Sequence, residues 1–430
     1  MLRPRRFPAL IALATLTAIA WGGCKLDNFG TAADVPDSGV VDSSQPEETS
    51  VGQDGSDVSV IEARDDEPAA PDAADDVPQD DAQADAEPEV GADADADTVD
   101  AKCPANKDDC DGNGTCEASL KDDPANCGAC GHDCLGSECL QGMCKPLLVA
   151  DGLQSPNGIA VNAKWLVWTN YYGGTVYKAP LPLSTPSGAT LLSISTGGPG
   201  AIVIDDVNTY WAESDVGTVM QVLTEVGGLP TYLAVGLDRP AGLAQDATSV
   251  YVSTRGTVTS LSEIKRIPKS GGTAIAIASD AAGASGLAID AASVYWANST
   301  TGVIWKAPLD LSGTPTQLAA GQASPLGVAV DNVSVYWTSS SAAVVMKVPK
   351  AGGTATKLST GMNPTAGIVV DGAFAWFAET TSGSIRRVST QGGPYQTIVY
   401  GALSPLNLAI DSKLVYWTNW NQGSVMAVAR

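Results

Sequence analysis

Histidine is nearly missing from this 430-residue chain: there is one, His132, and it lies among cysteines. Catalysis that needs two histidines, or a histidine paired with a distant nucleophile, is thereby excluded. Positive charge is also scarce, with 24 Lys and Arg against 48 Asp and Glu. That balance argues against a nucleic-acid-binding surface. The deficit is local. Residues 31–100 hold 23 acids and one base, Arg64, whereas 146–430 hold 16 acids and 15 bases. The region expected to fold is therefore close to neutral. Aromatic residues are absent from 31–101. A stretch built of Asp, Ala, Glu, Pro, Ser, Val and Gly buries too little apolar surface to offset its chain entropy. It reads as a disordered acidic linker, extended by its own charge. The rival reading, a segment that captures cations or a basic partner, finds no ligand spacing in its runs of Ala and Asp.

The chain start has a basic stretch with Arg3, Arg5 and Arg6, then an uncharged apolar run over 7–23, then Cys24. This describes a secretory signal rather than a spanning helix. Gly22-Gly23-Cys24 resembles the lipobox of bacterial lipoproteins. The resemblance implies that Cys24 becomes the lipidated first residue of the mature protein. Lys25 behind it, in place of Asp, implies sorting to the outer membrane or cell surface. An ordinary signal peptide with a chance cysteine is the alternative, but Cys24 stands apart from eight clustered cysteines, and an odd cysteine in an exported chain needs its own explanation. The expected organisation is a signal peptide over 1–23, a lipidated tether over 24–101, a disulfide-rich module over 102–145 and a repeat domain over 146–430.

Cys103, Cys110, Cys116, Cys127, Cys130, Cys134, Cys139 and Cys144 crowd into a stretch with few large apolar residues. Such a stretch needs cross-links to fold, and export makes four disulfides the expected chemistry. Eight cysteines allow 105 pairings, and the sequence chooses none of them. Cys127-Gly-Ala-Cys130 alone could be half a zinc site or a redox pair; it lacks a matched second copy. The run Asn126–Cys134 resembles Cys-rich modules of exported bacterial proteins, which implies a structural role. Asp109, Asp111 and Asn113 match the first half of an EF-hand loop, so calcium is the one cofactor the sequence suggests. Glu117 stands at the ninth position, but Leu120 stands at the twelfth, where a bidentate Glu is required.

From residue 146 the chain is periodic, with no sustained helical pattern. Seven units share an apolar strand ending in Asp or Asn, a second strand with an aromatic pair, and a third strand with Lys or Arg. Trp168, Trp211, Val252, Trp296, Trp337, Phe377 and Trp417 mark the second strands, spaced 43, 41, 44, 41, 40 and 40 residues apart. Asn162, Asp205, Asp246, Asp290, Asp331, Asp371 and Asp411 precede them by six residues. A repeat of this length, made of short strands and Gly, Pro and Asp turns, fits four-stranded propeller blades. The aspartates are expected to close turns rather than to act as acids. The seventh unit stops after its third strand, and the run Pro146–Ala150 is free to complete it. The expected fold is all-β: a seven-bladed β-propeller closed by an N-terminal latch strand. Val-Tyr-Trp-Thr-Asn419 and its relatives resemble the YWTD repeats of low-density-lipoprotein-receptor-type propellers, which implies a propeller fold, though with six blades in that family.

Propeller sites usually lie where second-to-third and fourth-to-first loops share a face. That reasoning selects Asn170, Tyr171, Tyr172, Glu213, Asp215, Asn298, Glu379, Asn419 and Trp420. Closure of the ring would bring Trp420 near Tyr171 and Tyr172. Aromatic faces with amides and hydroxyls around them suit a glycan or a protein ligand; turn packing is the bland alternative. The resulting expectation is a non-catalytic, surface-tethered binding or scaffold protein that reaches the membrane through its lipid anchor and binds no nucleic acid. An exported propeller hydrolase or lactonase using Glu213, Asp215 and Glu379 is the second reading, and a purely structural envelope protein the third.

Overall fold

A computed structural model describes residues 103–113, 115–184, 187–257, 260–280, 283–361 and 367–430. Cys24, the signal-like start and the acidic linker lie outside the described residues. The described secondary structure is all strand, without a helix.

Seven four-stranded antiparallel sheets follow one another along the chain. Blade 1 runs Pro156–Val161, Trp165–Asn170, Thr175–Pro180 and Thr190–Ile194, and blades 2 to 6 repeat that order. Blade 7 takes Pro405–Ile410, Leu414–Asn419 and Ser424–Ala429 from the C-terminus, and Leu147–Ala150 as its outer strand. The latch pairs Val425 with Ala150 and Ala427 with Leu147. The seven-bladed, latch-closed propeller is thus as the repeats imply.

Two neighbouring aromatics in each second strand have a geometric cause. Successive strand residues point to opposite faces of a sheet. Tyr295 packs with blade 5, beside Val328 and Trp337, while Trp296 packs with blade 3, beside Tyr251 and Ile264. Tyr416 reaches blade 1 and Trp417 reaches blade 6. Each pair therefore fixes its blade to both neighbours. Trp168, Trp211, Trp296, Trp337, Trp376 and Trp417 are all fully buried, so these wedges hold most of the core's large apolar surface.

The repeated aspartates close the first turn of each blade. Oδ1 of Asp290 accepts the backbone N–H of Ala292 and of Ser293, and Oδ2 accepts the Tyr295 hydroxyl at 2.9 Å. Asp205, Asp246, Asp331 and Asp411 do the same with Tyr210, Tyr251, Tyr336 and Tyr416. In blade 6, Trp376 Nε1 replaces the phenol at Asp371. Cations from the following blade reach three of these turns, pairing Lys269 with Asp205, Lys350 with Asp290 and Arg430 with Asp371 at 2.7 Å.

Burial alone would raise the Asp290 carboxyl, but Lys350, the turn amides and the Tyr295 hydroxyl outweigh it and hold it down at about 2. Its ordinary value is about 3.9. A depressed carboxyl stabilises the fold fully above the ordinary value, and that stabilisation drains away as pH falls from about 4 towards about 2. Asp205, Asp246 and Asp331 are depressed as well. Acid unfolding is therefore expected to set in within that window. Lys350→Met is expected to cost about 1–2 kcal/mol at neutral pH and to move the acid midpoint upward. Circular dichroism across an acid titration measures both effects; an unmoved midpoint would discount the ion pair.

A further layer of hydroxyls joins the inner strands. Thr418 Oγ1 accepts the N–H of Asn407 and donates to the Asn157 carbonyl at 2.8 Å, across the seam between blades 7 and 1. Asn407 Nδ2 donates to the same carbonyl at 3.1 Å. Thr169 and Ser253 make the equivalent bridges to Gly200 and Ser285.

Ahead of the latch, four disulfides form: Cys103–Cys116, Cys110–Cys130, Cys127–Cys139 and Cys134–Cys144. The two cysteines of Cys127-Gly-Ala-Cys130 take different partners, so they are neither a redox pair nor a zinc half-site. Cys127, Cys134, Cys139 and Cys144 are buried in one cluster with Val399 of blade 6 and Val415 of blade 7. The module is thus packed onto the propeller by its own cross-links. Multiple disulfides are the chemistry of an exported protein.

Candidate functional site

The second strand of each blade ends at the fourth position of its aromatic motif, occupied by Asn170, Glu213, Thr254, Asn298, Ser339, Glu379 and Asn419. Every one of these side chains is buried. The cause is strand periodicity: the fourth position shares a face with the second, the tryptophan that enters the preceding blade. Glu213 accepts Trp211 Nε1 at 3.2 Å and the Thr218 hydroxyl at 2.8 Å, and also takes the Ser195 hydroxyl. Glu379 pairs with Arg386 at 3.0 Å and accepts the Ser382 hydroxyl. Asn419 accepts Trp417 Nε1 and donates to Ser424. Asn170 donates to Thr175, and Asn298 accepts the amides of Thr300 and Thr301. Loop position predicts these five as ligand contacts; in the structure they are buried and lock the second-to-third turn. With Glu213 and Glu379 saturated below the surface, Asp215 is the exposed carboxylate left from the acidic trio.

The next residue in each blade turns outward. Its N–H is tied to the residue that precedes the innermost strand: Tyr171 to Ser155, Arg255 to Arg239, Ser299 to Gly283 and Trp420 to Ser404, at 3.0–3.2 Å. Those four acceptors hold left-handed backbone, with φ between 52° and 125°. The fifth motif position thus rims the channel mouth with Tyr171, Ser214, Arg255, Ser299, Ser340, Thr380 and Trp420. Around blades 4 to 6 the rim is small hydroxyls. At blades 7 and 1 it is aromatic, at blade 3 cationic, and at blade 2 a serine hydroxyl again.

Closure of the ring brings Tyr171, Tyr172 and Trp420 together. Their ring centroids lie 5.2–5.8 Å apart and their planes meet at 85°, 46° and 64°. Tyr172 is 72% exposed. The Tyr171 hydroxyl donates to Asp215 at 2.8 Å. The Ser214 hydroxyl lowers the Tyr171 phenol, yet the Asp215 carboxylate and partial burial outweigh it, and the net shift is upward. Gly198 lies beneath this pair: a Cβ there would stand 2.6 Å from Asp215 Oδ2 and 2.7 Å from the Tyr171 ring. The aromatics, Asp215, Arg239 and Arg255 enclose a cavity of about 470 Å³. It opens onto the channel, a space of about 340 Å³ that shares Asn157, Ala201, Ala241 and Arg255 with it.

Arg239 and Arg255 were not selected from the sequence. The signal was present for Arg255, which follows its motif at the same offset as Tyr171 and Trp420. Arg239 becomes a neighbour only when the blade 3 turns fold together; its guanidinium donates to the Gly256 carbonyl.

In the Cys-rich module, carboxylate oxygens of Asp109, Asp111 and Glu117 lie within 4.8 Å of one another, a set of hard donors suited to calcium. Asn113 spends its side-chain oxygen on the Thr115 amide, at 2.8 Å. Its own amide is held by Asp109 and Asp111.

No family model matches the chain, nor does any curated protein. Among solved structures, virginiamycin B lyase from Staphylococcus aureus is similar at 13% identity and a TM-score of 0.57, covering 66% of this chain and 98% of that one. A catalytically inactive His-to-Ala variant of the same lyase with quinupristin gives 14% identity and a TM-score of 0.54 over 66% of this chain and 98% of that one. The WD40 propeller domain of Doa1 is similar at 13% identity and 0.55, over 66% of this chain and 97% of that one. At these identities the likeness is one of fold: the chain's repeat region shares the β-propeller architecture of proteins as different as a lyase and a WD40 domain.

Proposed function

We propose that this is an exported, surface-tethered binding protein whose propeller presents the mouth cavity to a glycan or protein ligand. The aromatic corner of Tyr171, Tyr172 and Trp420 carries this reading. Three contacting rings around a solvent-facing cavity offer apolar faces that the fold does not need for its core. In the same reading Cys24 carries the lipid anchor, the acidic linker serves as spacer, and the Asp109–Glu117 loop is a secondary calcium site.

An exported enzyme, such as a carboxylate-dependent hydrolase or lactonase, is the second reading; the lyase neighbours bear on it only as propellers with catalysis, since a lyase eliminates rather than hydrolyses. Losing a histidine inactivates that lyase, whereas the one histidine here, His132, belongs to the Cys-rich module. Glu213 and Glu379 are committed to their turns.

A glycan array and a protein pull-down with the full chain would supply ligands. Trp420→Ala and Tyr171→Ala are each expected to weaken binding of the recovered ligand about five- to thirtyfold, since stacking on one aromatic contributes about 1–2 kcal/mol. Thermal stability should stay near wild type, because both side chains lie at the rim. Unchanged affinity in both variants would remove the site.

A further inference from the structure

Within the cavity, one side stacks and the other side is charged. Among the described residues the Arg255 guanidinium has no hydrogen-bond or ion-pair partner, the residue's bonds to Arg239, Ser262 and Gly283 being made by its backbone, and its side chain is exposed where the cavity meets the channel. The other charges nearby are engaged. Asp215 accepts the Tyr171 hydroxyl. Asp238 accepts the Ser260 hydroxyl and lies 3.8 Å from Arg239. Arg239 also donates to the Gly256 carbonyl, directly beside Arg255. Arg255 is therefore the cation of the cavity lining without an ion-pair partner, Asp215 keeping its negative charge while it accepts the phenol, and Arg239 is a positioning residue that steadies the Arg255 turn.

We propose that this mouth selects a carbohydrate that carries a carboxylate, a uronic-acid-bearing glycan, with the sugar ring against Tyr171, Tyr172 and Trp420 and the carboxylate on Arg255. The proposal rests on the glycan branch of the binding function above. Rings tilted against one another make a concave corner that a puckered sugar fills through its C–H faces; a flat protein surface would meet only their edges. The cavity of about 470 Å³ is the size of a small-ligand site rather than of a protein interface. Ser214, Asp215 and Asn157 supply donors and acceptors for sugar hydroxyls along the wall. The floor is Gly200, Ala201 and Ala241, small enough for a ring to approach. A guanidinium's planar fork matches a carboxylate in two parallel hydrogen bonds, and a single exposed fork accommodates one such group.

Titration calorimetry on the full chain tests the selection. The probes are di- and trisaccharides containing galacturonate, glucuronate or mannuronate, their carboxyl-reduced neutral counterparts, and a sulfated disaccharide. At least one uronate is expected to bind ten- to a hundredfold tighter than its neutral counterpart, with an affinity that falls as salt rises. Arg255→Gln is expected to erase that gap while leaving the neutral sugar's affinity in place, and Arg255→Lys to restore only part of it. Trp420→Ala is expected to weaken acidic and neutral sugars alike. Equal binding of acidic and neutral sugars, a gap that survives Arg255→Gln, tighter binding of the sulfated probe, or no binding by any sugar would each overturn the proposal. In the last case, a protein ligand lost in Trp420→Ala would leave the broader binding function standing; a ligand unaffected by Trp420→Ala would remove that too.

Discussion

A chain shortened to begin at Gly152 is expected to lose the cooperative thermal transition that a chain beginning at Lys145 retains. The two differ by the latch strand, Leu147–Ala150, and its short flanks. The latch is the outermost strand of blade 7 and ties the N-terminal end of the propeller to the C-terminal blade. Its removal takes Val149 out of the core, which costs about 1.5–3 kcal/mol. It also uncovers Ser424–Ala429, whose Val425 and Ala427 are completely buried, and leaves their backbone groups without partners. The sum is several kcal/mol, comparable to the whole stability of many domains. An unpaired edge next to apolar side chains also invites pairing between molecules. Size-exclusion chromatography should show association, and calorimetry a broadened or missing transition. Equal melting of the two chains would mean that the latch does not close the ring.

The second large effect is expected at Gly286→Ala, a single added methyl. A Cβ at Gly286 would stand 2.2 Å from the Leu326 carbonyl oxygen and 2.7 Å from the Val328 nitrogen, both on the innermost strand of the next blade. These are backbone atoms, so no rotamer change relieves the contact and the seam between blades 4 and 5 must widen. Overpacking typically costs about 1–3 kcal/mol, and the upper end applies where the obstacle is main chain. In a domain of this size that lowers the melting temperature by about 6–12 °C. Gly200→Ala is the control. It sits on the innermost strand of blade 2, and a Cβ there would meet nothing nearer than the Ala212 carbonyl at 3.8 Å. Its melting temperature should stay within about 2 °C of wild type. Ala201 and Asn407 occupy the place of Gly286 in blades 2 and 7, so each seam sets its own spacing. Equal melting of the Gly286 and Gly200 variants would discount the close approach.

Much of the fold was legible because its determinants are local. The turn aspartate acts on amides two and three residues on and on a phenol five residues on, so its spacing shows in every copy. The aromatic pair is likewise two adjacent residues with opposite directions. The candidate site was only half legible. Trp420 and Tyr171 were brought together by the inference of ring closure, and the structure places their rings 5.8 Å apart. The buried Asn and Glu residues at the end of each second strand were misplaced, because polar side chains in a turn usually face water. Here other groups draw them inward: Trp211 donates to Glu213 and Trp417 to Asn419, Arg386 pairs with Glu379, and Asn170 and Asn298 bond to their own turns.

Blade number, blade order and the turn chemistry follow from the amino-acid sequence by itself, since each rests on contacts a few residues long repeated seven times. The disulfide pairing, the packing of the Cys-rich module on blades 6 and 7, and the meeting of Arg255 with an aromatic corner were decided only by tertiary structure. The reason is geometric: those groups lie far apart along the chain or on different blades, and only the curvature of seven twisted sheets around one axis sets which of them become neighbours.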